Sequence, residues 1–311
     1  MSDRRYLVTG GAGFIGSHLV EALIQAGHHV RVLDDLSTGK SEHLDRVRHH
    51  ERFKLINADV RDLDSVMASV KDQDGVFHLA ALVSVPQSLA EPLKSFEINV
   101  GGTLNILEAA RLTGVRRVVL ASSAAVYGDA ASPARENETP ISPLAPYALD
   151  KSSAEQYCNL YSTLYGLETL ALRFFNVYGP RQDPASPYSG VISIFIERLR
   201  RRVGITVFGD GEQTRDFVHV SDVVDANIAA MTVAHKGFVV CNVATGRAVS
   251  INHLLETLSG QVSRQPQIEH VPVRAGDIRH SCADISRARS LFGYMPRYDL
   301  DAGLRELTAS A

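Results

Sequence analysis

The run Thr9-Gly10-Gly11-Ala12-Gly13-Phe14-Ile15-Gly16 lies between the apolar stretch Tyr6-Leu7-Val8 and a helix-patterned segment extending from about Phe14 to Ala26. It spells GxGxxG at Gly11, Gly13 and Gly16, and GxxGxxG when the count starts at Gly10. A strand that turns through glycines directly into a helix lets the backbone approach a pyrophosphate, and the N–H groups and dipole at the helix N-terminus favour that anion. Gly10, Gly13, Phe14, Ile15 and Gly16 are therefore the candidate cofactor loop. The next apolar run, His29-Val30-Arg31-Val32-Leu33, ends on Asp34-Asp35. A carboxylate about 20 residues beyond such a turn accepts hydrogen bonds from adenosine ribose hydroxyls and repels a 2′-phosphate, which predicts NAD rather than NADP. Arg31 and Lys40 stand nearby as cations of the kind a 2′-phosphate would need.

Outward from this turn, Phe53-Lys54-Leu55-Ile56, the run from Gly75 to Leu79, and Arg117-Val118-Val119-Leu120 read as further strands, with helical patterns between them, notably about Asn99 to Thr113. Alternating strands and helices predict an α/β fold with a doubly wound parallel sheet of Rossmann type. Asp59-Val60 follow the third strand, where an adenine edge would be read, and Leu79-Ala80-Ala81 end the fourth with residues small enough to leave room for the cofactor. Past residue 175 the periodicity weakens and mixes, as expected of a smaller C-terminal mixed α/β substrate lobe. Residues 178–190 hold three prolines and two glycines and read as a long ordered loop of the kind that serves function.

Composition excludes several classes. The 311 residues are 45% hydrophobic and 22% charged, enough to bury a core, and 32 basic against 35 acidic residues leave a net charge of −3. That balance carries no nucleic-acid footprint. The densest basic run, Arg198, Arg200, Arg201 and Arg202, ends a helical pattern, where cations complement the dipole. Three scattered cysteines form no CxxC pair and point to a reducing compartment, and the 12 histidines show no metal-ligand spacing, so no metal is expected. No stretch approaches a membrane span or a signal peptide, which predicts a soluble, cytoplasmic protein.

Two further patterns bear chemistry. Tyr147 and Lys151 form YxxxK, with Pro146 placing Tyr147 at a helix start, so the two side chains share one helix face. An ammonium beside a phenol stabilises the phenolate, which would lower the tyrosine pKa and make a general base usable near neutrality. Ser122-Ser123-Ala124-Ala125-Val126-Tyr127-Gly128 follow the strand ending at Leu120, on the carboxyl edge where doubly wound sheets bind ligands. A serine there can relay a proton to the tyrosine.

TGGAGFIG, the acidic end of the second strand, HLAA, SSAAVYG, YxxxK and RFFNVYGPR together resemble the extended short-chain dehydrogenase/reductase superfamily, and more narrowly its nucleotide-sugar 4-epimerases, the UDP-glucose and UDP-N-acetylglucosamine 4-epimerase group. The resemblance runs from about residue 5 to residue 300. It implies an NAD-binding domain over residues 1–175 with a return segment near 215–245, and a lobe over 176–311 that mainly binds the UDP-sugar. By motif match Ser123 is the catalytic serine, with Ser122 as the fallback; Tyr147 is the base, and Lys151 also holds the nicotinamide ribose. Asn99, in Asn-Val-Gly-Gly-Thr, is implied to line the cofactor groove, and Asn176 to contact the substrate pyrophosphate. Arg215, Arg274 and Asp277 match residues that grip the UDP diphosphate and ribose, a role that suits arginine forks and a carboxylate. A stripe of Ala154, Tyr157, Cys158, Tyr161, Leu164 and Tyr165 is wider than one core seam. The resemblance turns it into a homodimer surface, shared with the helix near 99–113.

The implied reaction is 4-epimerisation of a UDP-sugar through a 4-keto intermediate, with hydride passing to and from retained NAD. Four residues after Asp277 the group has a gate, bulky for glucose/galactose and small for N-acetylhexosamines, and here it is Ser281. Ser84, in Ala81-Leu82-Val83-Ser84-Val85-Pro86, is placed to meet an acetamide. The expected substrate is therefore UDP-GlcNAc, converted to UDP-GalNAc, with UDP-glucose/UDP-galactose as the alternative. A 4,6-dehydratase would need a carboxylate where Ala124 stands, and a UDP-glucuronate enzyme a cation facing the sugar, for which Arg181 is the candidate. A non-catalytic dinucleotide sensor would be expected to lack the tyrosine or the lysine.

Overall fold

The computed structural model describes residues 3–183, 190–262, 265–273 and 278–309. Its strands are β1 Arg5–Thr9, β2 His29–Asp34, β3 Phe53–Asn57, β4 Gly75–His78, β5 Arg117–Ser123, β6 Glu168–Phe174, β7 Asn176–Tyr178, β8 Ile205–Phe208, β9 Thr214–Arg215, β10 Phe217–His219, β11 Phe238–Val243, β12 Val249–Ser250 and β13 Ile268–Val271. Seven of them form one sheet in the order β11-β6-β5-β4-β1-β2-β3, and every pairing in it is parallel. The chain works outward from β1 to β3, then crosses back to β4 and works outward the other way. The reversal opens a crevice between the carboxyl ends of β1 and β4.

The helices are α1 Phe14–Gln25, α2 Leu63–Val70, α3 Val85–Ala90, α4 Pro92–Phe96, α5 Gly102–Thr113, α6 Pro146–Tyr165, α7 Val191–Arg201, α8 Val220–Thr232, α9 Ile251–Gln261, α10 Ser286–Phe292 and α11 Leu300–Ala309. Strand side chains alternate between two cores. Tyr6 and Val8 of β1, with Val119 of β5, pack toward α1 and α8. Leu7, Val118 and Leu120 pack toward α2, α5 and α6. Strands buried on both faces become nearly continuous apolar runs, which is how they read in sequence. A third core, with Phe195 and Leu199 of α7, Ile205 and Val207 of β8, and Leu254 and Leu258 of α9, belongs to the C-terminal half. That half also completes the main sheet, because β11 pairs with β6 and α8 lies beside α1.

Two segments differ from their sequence pattern. The expected helix from Asn99 begins as a π-helical turn over Glu97–Gly101 that joins α4 to α5, so Asn99 sits inside a helical run rather than at its start. Of the loop expected over 178–190, residues 184–189 lie outside the described residues. The basic run ends α7 as expected, with Arg198, Arg200 and Arg201 in its last turn. No helix among the described residues is long and apolar enough to cross a membrane.

One buried cation ties the layers together. Arg117, at the start of β5, is 1% exposed. Its Nη1 donates to the carbonyls of Ala230, Met231 and Val233 and its Nη2 to that of His235, so the guanidinium caps the carboxyl end of α8. Nη2 and Nε also donate to Glu168 on β6, at 2.7 and 3.1 Å. Removing it strands four carbonyls and leaves Glu168 only its bond from the exposed Arg116. Arg117→Met is expected to cost about 3–5 kcal/mol in urea unfolding, whereas Arg116→Met, at a neighbour whose exposed side chain makes one bond to Glu168, should cost at most about 1 kcal/mol.

Candidate active site

A cleft of about 940 Å³ runs along the carboxyl rim of the sheet and across to the C-terminal half. Gly10, Gly13, Phe14, Ile15 and Gly16 line one end of it. The turn can only be built from glycine. Gly10 has φ +67°, and a Cβ there would stand 2.7 Å from the Ala80 nitrogen across the crevice; a Cβ on Gly16 would stand 2.1 Å from the Gly10 carbonyl oxygen. No side chain caps α1, and its first turn contains no acidic residue, which leaves an anion-favouring terminus facing the cleft. Asp34 is buried, and its oxygens accept from the Ala12 and Leu36 nitrogens at 2.8 and 2.9 Å. Each oxygen keeps a second lone pair for a ribose hydroxyl.

Arg31 and Lys40 are both committed elsewhere. Arg31 donates to the carbonyls of Ser69 and Lys71 behind α2, and Lys40 pairs with Asp183 at 2.8 Å. The residues present thus fit a dinucleotide with a free 2′-hydroxyl. Val60, Leu79, Ala80 and Ala81 line the cleft as expected. Asp59 does not: Arg61 holds its carboxylate at 2.6 Å, keeping its pKa below the usual range, and it is Arg61 that reaches the cleft wall.

Behind the wall runs an ordered proton chain. Thr9 Oγ1 accepts from the Leu79 and Ala80 nitrogens, so its own proton goes to His78 Nδ1, 2.7 Å away. His78 Nε2 then carries the proton it gives to Thr103 Oγ1, and Thr103 donates to the Asn99 carbonyl at 2.5 Å. Burial pushes His78 down to about 3, so the imidazole is neutral. Asn99 is not a wall residue. Its amide grips Leu82, accepting from the nitrogen at 2.8 Å and donating to the carbonyl at 3.1 Å, and so holds the 79–82 segment against the cleft.

At the centre, Tyr147 and Lys151 lie on the buried face of α6. The Tyr147 nitrogen donates to Ser88 Oγ on α3 at 3.1 Å, and the phenol faces Ser123, whose hydroxyl favours the phenolate. Lys151 Nζ donates to the Ala121 carbonyl at 2.8 Å and sits 6.0 Å from the Tyr147 ring centre. The expected fall in the tyrosine pKa is not produced by this pair alone. Burial raises the Tyr147 phenol, with only the Ser123 bond opposing, and burial lowers Lys151 to about 8. Desolvation outweighs attraction here, and a phenolate needs further positive charge brought by a ligand. Adjacent strand residues face opposite ways, and this separates the two serines. Ser122 donates to Glu155 Oε1 on α6 at 2.5 Å, spending its proton, while Ser123 accepts from the Ala125 nitrogen and meets Tyr147.

Toward the C-terminal half, Asn176, Arg215 and Ser281 line the same cleft, and β9 brings the last two together through the bond from the Ser281 nitrogen to the Thr214 carbonyl. Arg215 Nη1 is held by the Thr214 and Ile278 carbonyls. Ser84 lines the cleft too, but its oxygen caps α3 by accepting from the Gln87 nitrogen at 2.9 Å, leaving its proton to give. Arg274 and Asp277 lie outside the described residues. Arg181 points away from the cleft, bonded to Glu21 of α1 at 2.5 Å, and Gln182 takes the wall position instead. Gln182, Arg61 and His280 were not legible as wall residues, because only proximity to Arg181, Asp59 and Ser281 marked them.

Comparison with known proteins agrees with this geometry. Residues 6–244 match the model of the NAD dependent epimerase/dehydratase family. A UDP-glucose 4-epimerase of Mycolicibacterium smegmatis is 42% identical over 303 residues, covering 96% of each chain. The solved UDP-N-acetylglucosamine 4-epimerase of Methanobrevibacter ruminantium, in complex with UDP-N-acetylmuramic acid, is 40% identical with a TM-score of 0.94, covering 99% of this chain and 98% of that one. The UDP-glucose 4-epimerase of Thermotoga maritima with UDP-glucose superposes with a TM-score of 0.92 at 37% identity, over 98% of this chain and 97% of that one.

The buried neutral His78 makes stability depend on pH. Unfolded, it titrates near 6.5; folded, near 3. Its contribution is therefore complete above pH 6.5 and is lost toward pH 3, at up to about 1.4 kcal/mol per pH unit. In urea unfolding at pH 7.5, 6.5, 5.5 and 4.5, His78→Gln is expected to start less stable and to decline less steeply than the parent. Parallel declines would place the titration elsewhere.

Proposed function

Because the chain belongs to the NAD dependent epimerase/dehydratase family, we propose that it interconverts the carbon-4 epimers of a UDP-N-acetylhexosamine, UDP-GlcNAc and UDP-GalNAc. It is an NAD-dependent UDP-sugar 4-epimerase. The observation that carries the chemistry is that Ser123, Tyr147 and buried Lys151 come together on a cleft that continues to Asn176 and Arg215. The acetamido reading rests on Ser281, a small side chain in the opposite wall, and on Ser84, whose hydroxyl proton is left to donate to an acetamide carbonyl. The Methanobrevibacter enzyme's name supports it, whereas the names of the Mycolicibacterium and Thermotoga proteins favour UDP-glucose and UDP-galactose as the second reading. The bond from Arg181 to Glu21 leaves no cation for a sugar carboxylate at that position.

Asp34 and the glycine turn hold the dinucleotide, within residues 1–175 and the return segment 215–245; the remainder, mainly 176–311, holds the UDP-sugar. NAD held by that turn would supply the hydride acceptor for carbon 4 and the donor for its return to the other face of the ring. Tyr147 Oη receives the proton of the 4-hydroxyl, relayed through Ser123 Oγ, and gives it back after the sugar has turned. Lys151 supplies positive charge beside the phenolate. Asn176 and Arg215, with Arg274 and Asp277, anchor the UDP end, so that binding energy from the non-reacting part retains the 4-keto sugar while its ring turns about the bond to the pyrophosphate. We propose further that the exposed Leu160, Leu164 and Tyr165 of α6, with Leu112 of α5, form a homodimer contact.

The test is NAD-loaded protein incubated with UDP-GlcNAc and, separately, with UDP-glucose, with products resolved by NMR. Conversion of both N-acetylated epimers is expected. Tyr147→Phe should lower kcat by about 10²–10⁴-fold, and Ser123→Ala by more than Ser122→Ala. Ser281→Tyr should lose the N-acetylated substrate and keep UDP-glucose. Turnover of UDP-glucose alone would overturn the acetamido reading, and turnover of neither would overturn the epimerase reading.

A further inference from the structure

Glu155 is 3% exposed and lies on α6 one helical turn beyond Lys151 and two beyond Tyr147, so the three side chains share one face. Its carboxylate is fully engaged. Ser122 on β5 donates to Oε1 at 2.5 Å, and Arg173 on β6 donates from Nε at 2.9 Å and from Nη2 at 2.6 Å. Ser122 and Arg173 are register partners across β5 and β6, so one carboxylate joins α6 to both strands at the level where Ser123 meets Tyr147. The Arg173 guanidinium stacks 4.6 Å from the Tyr127 ring, whose hydroxyl donates to Asn242. Among the described residues Arg173 Nη1 has no hydrogen-bond partner, and the arginine is held by the carboxylate and the ring.

A buried ion pair is an expensive way to join a helix to a sheet, and an apolar contact would serve as well if joining were its purpose. Its position suggests another role. We propose that Glu155 is a positioning residue for the Tyr147–Lys151 pair, its buried carboxylate set by Ser122 and Arg173 to supply the negative charge that the Lys151 ammonium faces. This inference rests on the assignment of Tyr147 and Lys151 as the reacting pair.

Lys151 is surrounded by two buried carboxylates, and Glu155 is the one that also reaches the strands of the sheet. On α6 the lysine faces Asp150, Glu155 and the Cys158 thiol. From β5 it meets only the Ala121 carbonyl, and from β4 the neutral His78. Asp150 is engaged in turn by Ser95 Oγ at 2.5 Å and Asn99 Nδ2 at 3.4 Å. Burial pulls the lysine down to about 8, against Asp150 and Glu155, which hold it up. Without Glu155 the lysine would keep only Asp150 of the two carboxylates that hold its proton against burial.

The experiment is the pH profile of kcat/KM for NAD-loaded protein with UDP-GlcNAc or UDP-glucose, whichever the parent turns over. The parent's alkaline limb is expected near pH 8. In Glu155→Gln it should move down by about one pH unit, the size of shift that one adjacent opposite charge produces. Glu155→Gln/Arg173→Met should shift the limb likewise, and it avoids leaving the guanidinium unpaired if the single variant does not fold. Ser122→Ala removes a hydrogen bond and keeps the charge, so its limb should stay at the parent's position. A limb unmoved in the Glu155 variants that fold, with only its amplitude reduced, would make Glu155 a structural residue and overturn the proposal. An equal shift in Ser122→Ala would overturn it as well. A parent that turns over neither sugar, or a Tyr147→Phe variant as active as the parent, would instead overturn the assignment on which the proposal rests.

Discussion

Because all seven strands of the main sheet run the same way, their carboxyl ends meet on one rim, and the cleft lies along that rim. Parallel pairing cannot be closed by tight turns, so each strand hands the chain to a crossover, and the following helix or loop begins over the same edge. Gly10 after β1, Ala80 after β4, Ser123 at the end of β5 and Asn176 after β6 are neighbours for that reason alone. The two-residue period of a strand then sorts side chains. At the end of β5 it sends Ser123 toward Tyr147 and Ser122 toward Glu155, so two adjacent serines have different chemistry available to them.

Beneath the rim the protein carries charges that water would otherwise solvate. Lys151, Glu155, Arg173 and Asp34 are all nearly inaccessible. Each is surrounded by donors or acceptors that recover part of the desolvation cost, and the lysine shows what remains, since burial leaves it near 8. The phenol of Tyr147 is penalised in the same way, so the protein alone holds the tyrosine protonated. Positive charge brought into the cleft by a ligand would oppose that penalty.

The two halves are held together close to the cofactor turn. Arg181 bonds to Glu21 of α1, His18 of α1 meets the Pro180 carbonyl at 2.9 Å, and Lys40 pairs with Asp183. The segment after β7 is thereby fastened to the helix whose N-terminus forms the anion site. The same contacts explain why Arg181, cationic and next in sequence to the cleft-lining Gln182, does not reach the cleft. Its charge is consumed in a partly buried pair with Glu21.

The sequence by itself determined the alternation of strands and helices, the glycine turn, the acidic end of β2 and the spacing of Tyr147 and Lys151. Each of these is a local pattern whose period or conformational demand is written in consecutive residues. A return of the segment near 215–245, where α8 and β11 lie, was implied only by the family resemblance, because the pairing of distant strands leaves no local signal. The sequence did not separate Ser122 from Ser123, remove Asn99 and Asp59 from the cleft wall, or reveal the bond between Glu155 and Ser122, residues from a helix and a strand far apart in the chain. Those outcomes depend on which way a side chain points and what it meets there. The balance at Tyr147 was decided in the same way, since attraction by Lys151 follows from spacing, whereas the larger cost of burial exists only once the sheet and helices have closed over the phenol.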